Sequence, residues 1–412
     1  MDRSLSRWAS DYVNLVLAVG RHDGDFVDAY YGPKAWKQVA EAGEPRPLAE
    51  LRAEADQLLE DVAAAELQEG EALRREYLLG QLGAVAAHLA RLDGQRFSFD
   101  EEAEALYQVR PPVTTEAALD AALARLDQLL DGSGSVQDRY QRLRERIIVP
   151  TLRVDAVFQA AIAEARDRTR RHATLPDSDH FRVEYVTGKS WSAYNWYQGG
   201  GHSVIQVNLD LPIAIDRALD LAAHEGYPGH HVYNALLEQR FARPAPAGKG
   251  WVEFTVYPLF SPQSLIAEGT ANFGIEVAFP GTERLAFERD VLFPLAGLDP
   301  AEAERWARVQ AELKVLAFAD NEAARGYLDG RLDRAQAEAF LVQYSLRTEA
   351  QAAQRLRFID NYRSYVINYN LGEQLVHQWV EGQGGTVADP GRRWEVFVDL
   401  ISSPRLPRAL GL

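Results

Sequence analysis

Within a run of helical periodicity over 212–242, the eight residues from His224 to His231, HEGYPGHH, set the hardest constraint on how this chain can fold. Pro228 lacks the N–H that would bond the His224 carbonyl, and its ring collides with that carbonyl, so the helix must widen or kink here. Proline and glycine inside a helix cost about 3 and 1 kcal/mol relative to alanine. The same stretch holds three of the nine histidines, one followed directly by a glutamate. A kinked helix with incidental surface histidines would not explain why both breakers and the cluster coincide. The coincidence points to a site.

In the H-E-x-x-H arrangement, two histidines one turn apart reach one zinc and the glutamate polarises its water. Here the histidines after His224-Glu225 are His230 and His231, at i+6 and i+7. An unbroken helix would separate His224 from His231 by about 10 Å, whereas two nitrogens each ~2.1 Å from one zinc lie at most ~4 Å apart. A bulge absorbing two residues would bring His230 to the i+4 place, and His230 is preferred on that ground. Absorbing three would select His231 instead. The chain has no cysteine, which excludes thiolate ligands and thiolate catalysis and leaves His, Asp and Glu. A third ligand is still needed; in zinc peptidases of the gluzincin type, which this stretch resembles, it is a glutamate on the next helix, and over 262–279 IAEGTANFGIE offers Glu268 and Glu276. Glu268 is favoured because Gly269 and Ala271 beside it let the helix come close to the metal.

The remainder of the chain reads as mainly helical. Residues 1–178 carry Leu, Ala and Val at three-to-four spacing between Gly and Pro breakers, and SRWASDYVNLVLAVG is an amphipathic first helix rather than a signal segment. His22, His88 and His172 are isolated there and read as ordinary residues. After Pro176, FRVEYV, SWSAYNWY and HSVIQVNL are rich in β-branched and aromatic residues, with Gly199 to Gly201 as a hairpin turn. They predict a small antiparallel sheet over 181–209, just before the motif helix. In zinc peptidases of the thermolysin type an edge strand in that place holds extended substrate through its main chain, and by that resemblance Val204, Gln206 and Asn208 are the residues expected to do so. ARPAPAGKG reads as a loop, WVEFTVYPLF as extended, and the rest as C-terminal helices.

Composition narrows the classes further. A hydrophobic fraction of 47% and a charged fraction of 25% describe a globular chain. The net charge of −16, with no concentrated basic run, argues against nucleic acid as a partner, and no apolar stretch reaches the ~20 residues of a membrane span. TGKS lacks the earlier glycine of a phosphate loop, with Val183 in its place, and no G-x-S-x-G elbow is present. None of the nine histidines has a glutamate three residues before it, which argues against a carboxylate-bridged di-iron site.

His-Glu-Gly-Tyr-Pro-Gly-His-His followed by Glu268-Gly-Thr-Ala resembles a family of bacterial proteins long known only as a domain of unknown function, which carries H-E-x-x-P-G-H-H and a later E-G-x-A. That family is regarded as a gluzincin relative of helical peptidases such as angiotensin-converting enzyme. The resemblance extends to YNWYQGGGHSVIQVN and NYRSYVINYNLGEQLV. It implies that His224, His230 or His231, and Glu268 bind one zinc, with Glu225 as general base. The family's Y-x-x-G favours Tyr369 over Tyr365 as donor to the oxyanion, the two being four apart on one helix face. The histidine not on zinc, in the preferred assignment His231, could serve as a further donor or orient a ligand. Arg363 is a candidate for a substrate carboxylate.

The expectation is therefore a single catalytic unit over 1–412, with a helical half over 1–178 and a zinc-site half over 179–412. Its fold would be a gluzincin-like helical metallopeptidase, mainly α, with a small antiparallel sheet beside the metal-binding helix. It would act on small or extended peptides in the cytoplasm, without nucleic acid or membrane, in an oligomeric state the sequence leaves open. The competing expectation is a non-catalytic peptide-binding or structural protein with a vestigial metal site, for which Glu225 beside a ligand would have no use.

Overall fold

The computed structural model describes residues 4–189, 191–210, 212–243 and 250–411. The chain is mainly α-helical with two small sheets. Local rules explain many helix starts: Ser98, Ser135, Asp333 and Thr348 each open a helix with a reciprocal capping box, which satisfies two otherwise orphaned backbone donors. The first helix, Leu5–Val19, buries Leu5, Trp8, Tyr12, Val16 and Val19 against Leu48–Ala63 and Ala72–Leu92.

The N-terminal half is not helical throughout. Strand β1, Val27–Tyr30, pairs antiparallel with β5, Val256–Pro258, from the WVEFTVYPLF segment. No local periodicity marks a four-residue strand whose partner lies more than 200 residues away. One hydrophobic core includes residues from Leu5 to Leu410, and elements on both sides of residue 178 contribute to it.

The second sheet contains β2, His180–Val186, β3, Ala193–Gly199, and β4, His202–Asn208. Gly199, Gly200 and Gly201 all have positive φ and turn β3 into β4 as expected. The sheet order is β2-β4-β3, and β2 runs parallel to β4, so the sheet is mixed rather than wholly antiparallel. β4 is central and is the most buried strand, with Ser203, Val204, Ile205, Val207 and Asn208 out of solvent. That corrects the expectation for Val204, Gln206 and Asn208. Their strand is paired on both sides, Gln206 binds Glu184 at 3.0 Å, and Asn208 donates to the carbonyls of Lys189 and Trp191. None has main chain to offer an extended ligand. The edge strand on this side is β3.

Two long helices finish the frame. Pro262–Ala278, the glutamate helix, begins with Pro at its first turn and buries every residue except Asn272 and Glu276. It crosses Ile367–Gly382, the tyrosine helix, with Gly269 against Gly372: a Cβ on Gly269 would stand 2.4 Å from the Gly372 carbonyl oxygen. The two backbones touch, and no other residue type fits there. Of the expected ARPAPAGKG loop, residues 244–249 lie outside the described residues.

Candidate metal centre

The motif does not form one bulged helix. An α-helix over Ile215–Leu221 passes into a π-helical turn over Ala222–Gly226, a corner follows at 227–229 with a cis Tyr227–Pro228 peptide, and a new helix starts at His230–Leu237. Gly229 makes the corner possible. Its backbone passes so close to the preceding turn that a Cβ would lie 1.9 Å from the His224 carbonyl oxygen, and its N–H bonds the Ala223 carbonyl at 3.0 Å. Pro228 rests against Gly274 of the glutamate helix, where a Cβ would come within 3.0 Å of its ring. The breakers thus dock the corner on the helix that carries Glu268.

Six helical residues would span about 9 Å, yet the corner brings His224 Nε2 to 3.1 Å from His230 Nε2. Glu268 Oε2 lies 3.2 Å from the first and 3.6 Å from the second. A tetrahedral ion with bonds of 2.0–2.2 Å spaces its ligand atoms about 3.3–3.6 Å apart. Glu268 Oε2 is buried and accepts no hydrogen bond among the described residues, while its Oε1 accepts one from Tyr365 at 2.8 Å. Burial alone would raise the Glu268 pKa, but His230 and His224 hold the carboxyl well below its usual range. Against burial, Glu268, Glu225 and Asp28 push His230 up to about 9. The point where these atoms converge strongly favours positive charge.

His224 is oriented by a residue the sequence reading missed. Asn272 Nδ2 donates to the Tyr369 carbonyl at 2.8 Å, which leaves Asn272 Oδ1 to accept from His224 Nδ1, also at 2.8 Å. Nδ1 therefore carries the proton and Nε2 presents its lone pair to the centre. Asn272 stands four residues after Glu268 on the same helix face, and that spacing was the available signal.

His231 points elsewhere and is fully buried. Its Nε2 donates to Asp179 at 2.8 Å, and its Nδ1 accepts from Ser203 at 2.8 Å. Both nitrogens are committed, so His231 is neither the second ligand nor an oxyanion donor. Asp179, with a fully buried side chain, also accepts from Tyr227, Arg166 and Arg170. It ties the segment before β2 to both sides of the corner. No spacing in the sequence announces that contact.

Glu225 follows His224 and is buried. Asn195 of β3 donates to its main-chain carbonyl at 2.7 Å, and its carboxylate takes no hydrogen bond or ion pair among the described residues. Of the two tyrosines, Tyr365 is spent on Glu268 and is corrected from donor to ligand support. The Tyr369 hydroxyl has no hydrogen bond among the described residues. Burial and the Glu268 charge hold its phenol well above the usual range, so it stays a donor. Arg363 is not a substrate clamp: its Nε bonds the buried Glu102 carboxylate at 2.6 Å, and Ser364 holds the other oxygen. Glu276 pairs with Arg393 and Lys314, away from the centre. Among the described residues, His224, His230 and Glu268 are the one group of three such side chains close enough to share an ion.

No family model matches the chain, and no curated protein matches it. Solved structures do. A protein of Colwellia psychrerythraea described as a lipoprotein superposes with a TM-score of 0.52 at 15% identity over 87% of this chain, which spans 65% of that protein's length. That likeness is one of fold. A lipoprotein of unknown function from Shewanella oneidensis gives 0.49 at 13% identity, over 88% of this chain and 72% of that one. Metallocarboxypeptidase 1 of Trypanosoma cruzi gives 0.46 at 14% identity, over 96% and 89%. No described helix is long and apolar enough to cross a membrane.

Proposed function

We propose that this chain is a zinc-dependent peptidase that cleaves small or extended peptides. The observation that carries the reading is the convergence of His224 Nε2, His230 Nε2 and the undonated Glu268 Oε2 at 3.1–3.6 Å, beside a carboxylate without a partner. Two imidazoles and one carboxylate, without sulfur, suit zinc and leave a fourth position open. Zinc held there would supply a Lewis acid and lower the pKa of a water toward ~7.

The chain's own groups do the rest. Glu225 takes the proton of the attacking water and returns it to the leaving amine. Tyr369 donates to the oxygen on which negative charge develops. Asn272 and Tyr365 keep His224 and Glu268 aimed. The edge of β3 lies beside Glu225 and suits main-chain pairing with an extended peptide. A protein that only bound peptides would gain nothing from a buried, unpaired carboxylate next to a metal ligand.

Protein purified without added zinc should carry about one zinc per chain. His224→Ala should lose it, and His202→Ala, an exposed control, should keep it. Glu225→Gln should retain metal yet leave a mixed peptide library intact by mass spectrometry, as should wild type treated with chelator. Full cleavage by Glu225→Gln would remove that residue from its role, and a chain unable to bind metal would end the proposal.

A further inference from the structure

Asp28 is linked to the metal centre through Tyr194 and Asn195 of β3, but belongs neither to the ligand set nor to the proton transfer. It sits where the β1–β5 register slips, between the pairs Val27↔Pro258 and Ala29↔Tyr257. Such a bulge re-aims a side chain that regular pairing would direct elsewhere. Here the side chain reaches Tyr194, whose hydroxyl bonds both Asp28 Oδ1 at 3.1 Å and the Asp28 carbonyl at 3.0 Å. Tyr194 precedes Asn195, the residue that holds the Glu225 main chain, so β3 links Asp28 to the general base.

The carboxylate is near enough to His230, Glu268 and Glu225 that each acts on its ionisation, and burial pushes it up to about 6. It has no lysine or arginine partner among the described residues. With zinc held at the centre, its two positive charges would face one negative each on Glu268, Glu225 and Asp28. One negative charge would be left unmatched beside the centre. The Tyr194 hydroxyl beside Asp28 keeps lone pairs with which to accept from a further donor. A second metal is not the answer, because Asp28 lies outside the group of three that can share an ion.

We propose that Asp28 receives a primary ammonium of the substrate, so that the enzyme selects a positive charge next to the bond it cuts. This rests on the metallopeptidase reading. An ammonium has three donors and a compact charge, which suits one carboxylate and a tyrosine oxygen. It can come from a free α-amine or from a lysine side chain.

The test is calorimetric titration of the zinc-loaded full chain with three hydroxamates, which anchor on the metal whatever their other end carries: leucine hydroxamate, N-acetyl-leucine hydroxamate and N-acetyl-lysine hydroxamate. A probe with an ammonium should bind about tenfold or more tightly than N-acetyl-leucine hydroxamate. Leucine hydroxamate gaining that factor identifies the α-amine, and N-acetyl-lysine hydroxamate identifies the side chain. In Asp28→Asn the ratio should fall to about one, with zinc content and circular dichroism of wild type. A ratio near one in wild type, or one that survives in Asp28→Asn, overturns the proposal while the metal site stands. Failure of all three probes to bind would overturn the metallopeptidase reading and this one with it.

Discussion

Two adjacent imidazoles, His230 and His231, have opposite roles because one helical step turns neighbours about 100° apart. His230 turns to His224 and Glu268, and His231 turns to the sheet, where Ser203 and Asp179 complete its hydrogen bonds. The sequence narrowed the second ligand to these two, and the choice was then made by partners 28 and 52 residues away. The same holds for His224, whose useful tautomer depends on Asn272. Asn272→Ala should leave His224 free to rotate and exchange tautomers. Zinc affinity, read by competition with a chromogenic chelator, should drop about 10–100-fold, while the unfolding midpoint of the metal-free protein moves little. Unchanged affinity would mean that His224 is oriented by packing alone.

Elements place these residues through close backbone approach. The glutamate helix and the tyrosine helix meet at Gly269 and Gly372, and that contact sets Tyr369 and Tyr365 beside Glu268. Gly269, expected to let its helix near the metal, instead admits the Gly372 carbonyl, which fills its Cβ position. Gly269→Ala should therefore push the helices apart and misplace Tyr369 without removing a ligand. Activity should fall about 100-fold in protein that still binds one zinc per chain by metal analysis. Equal loss of metal and activity would show that the crossing holds the ligands rather than the donor. What was legible at this scale followed local rules: the helices, the β3–β4 hairpin, and the break at Pro228 and Gly229. What was not legible was pairing at a distance, such as β4 at the sheet's centre, β1 on β5, and Asp179 on the corner, because strand order and buried ion networks have no local period.

At the scale of the whole molecule, the C-terminal helices are joined to the rest and to one another through carboxylates that are almost wholly buried. Glu102 of the helix Phe99–Tyr107 holds Arg363 and Ser364 ahead of the tyrosine helix. Asp320 binds Arg347 at 2.9 Å and Arg355 at 2.7 Å, with Ser345 on its other oxygen at 2.8 Å. Burial works to raise the Asp320 pKa, but the two guanidiniums hold it well below the usual carboxylate range. A carboxyl depressed in the folded state stabilises it in full above the unfolded value of ~3.9, and the contribution is lost as pH falls through the folded value. Removing the charge leaves two partly buried arginines without their shared counter-charge. Asp320→Asn should therefore cost about 3–5 kcal/mol at pH 7 by urea unfolding. The gap to wild type should hold down to about pH 4 and close at lower pH, where wild type protonates the same carboxyl. A gap independent of pH would assign the loss to packing. Because Arg355 also lies over the Tyr369 ring, the substitution should shift Tyr369 as well, so catalysis at neutral pH should fall even in the fraction that remains folded.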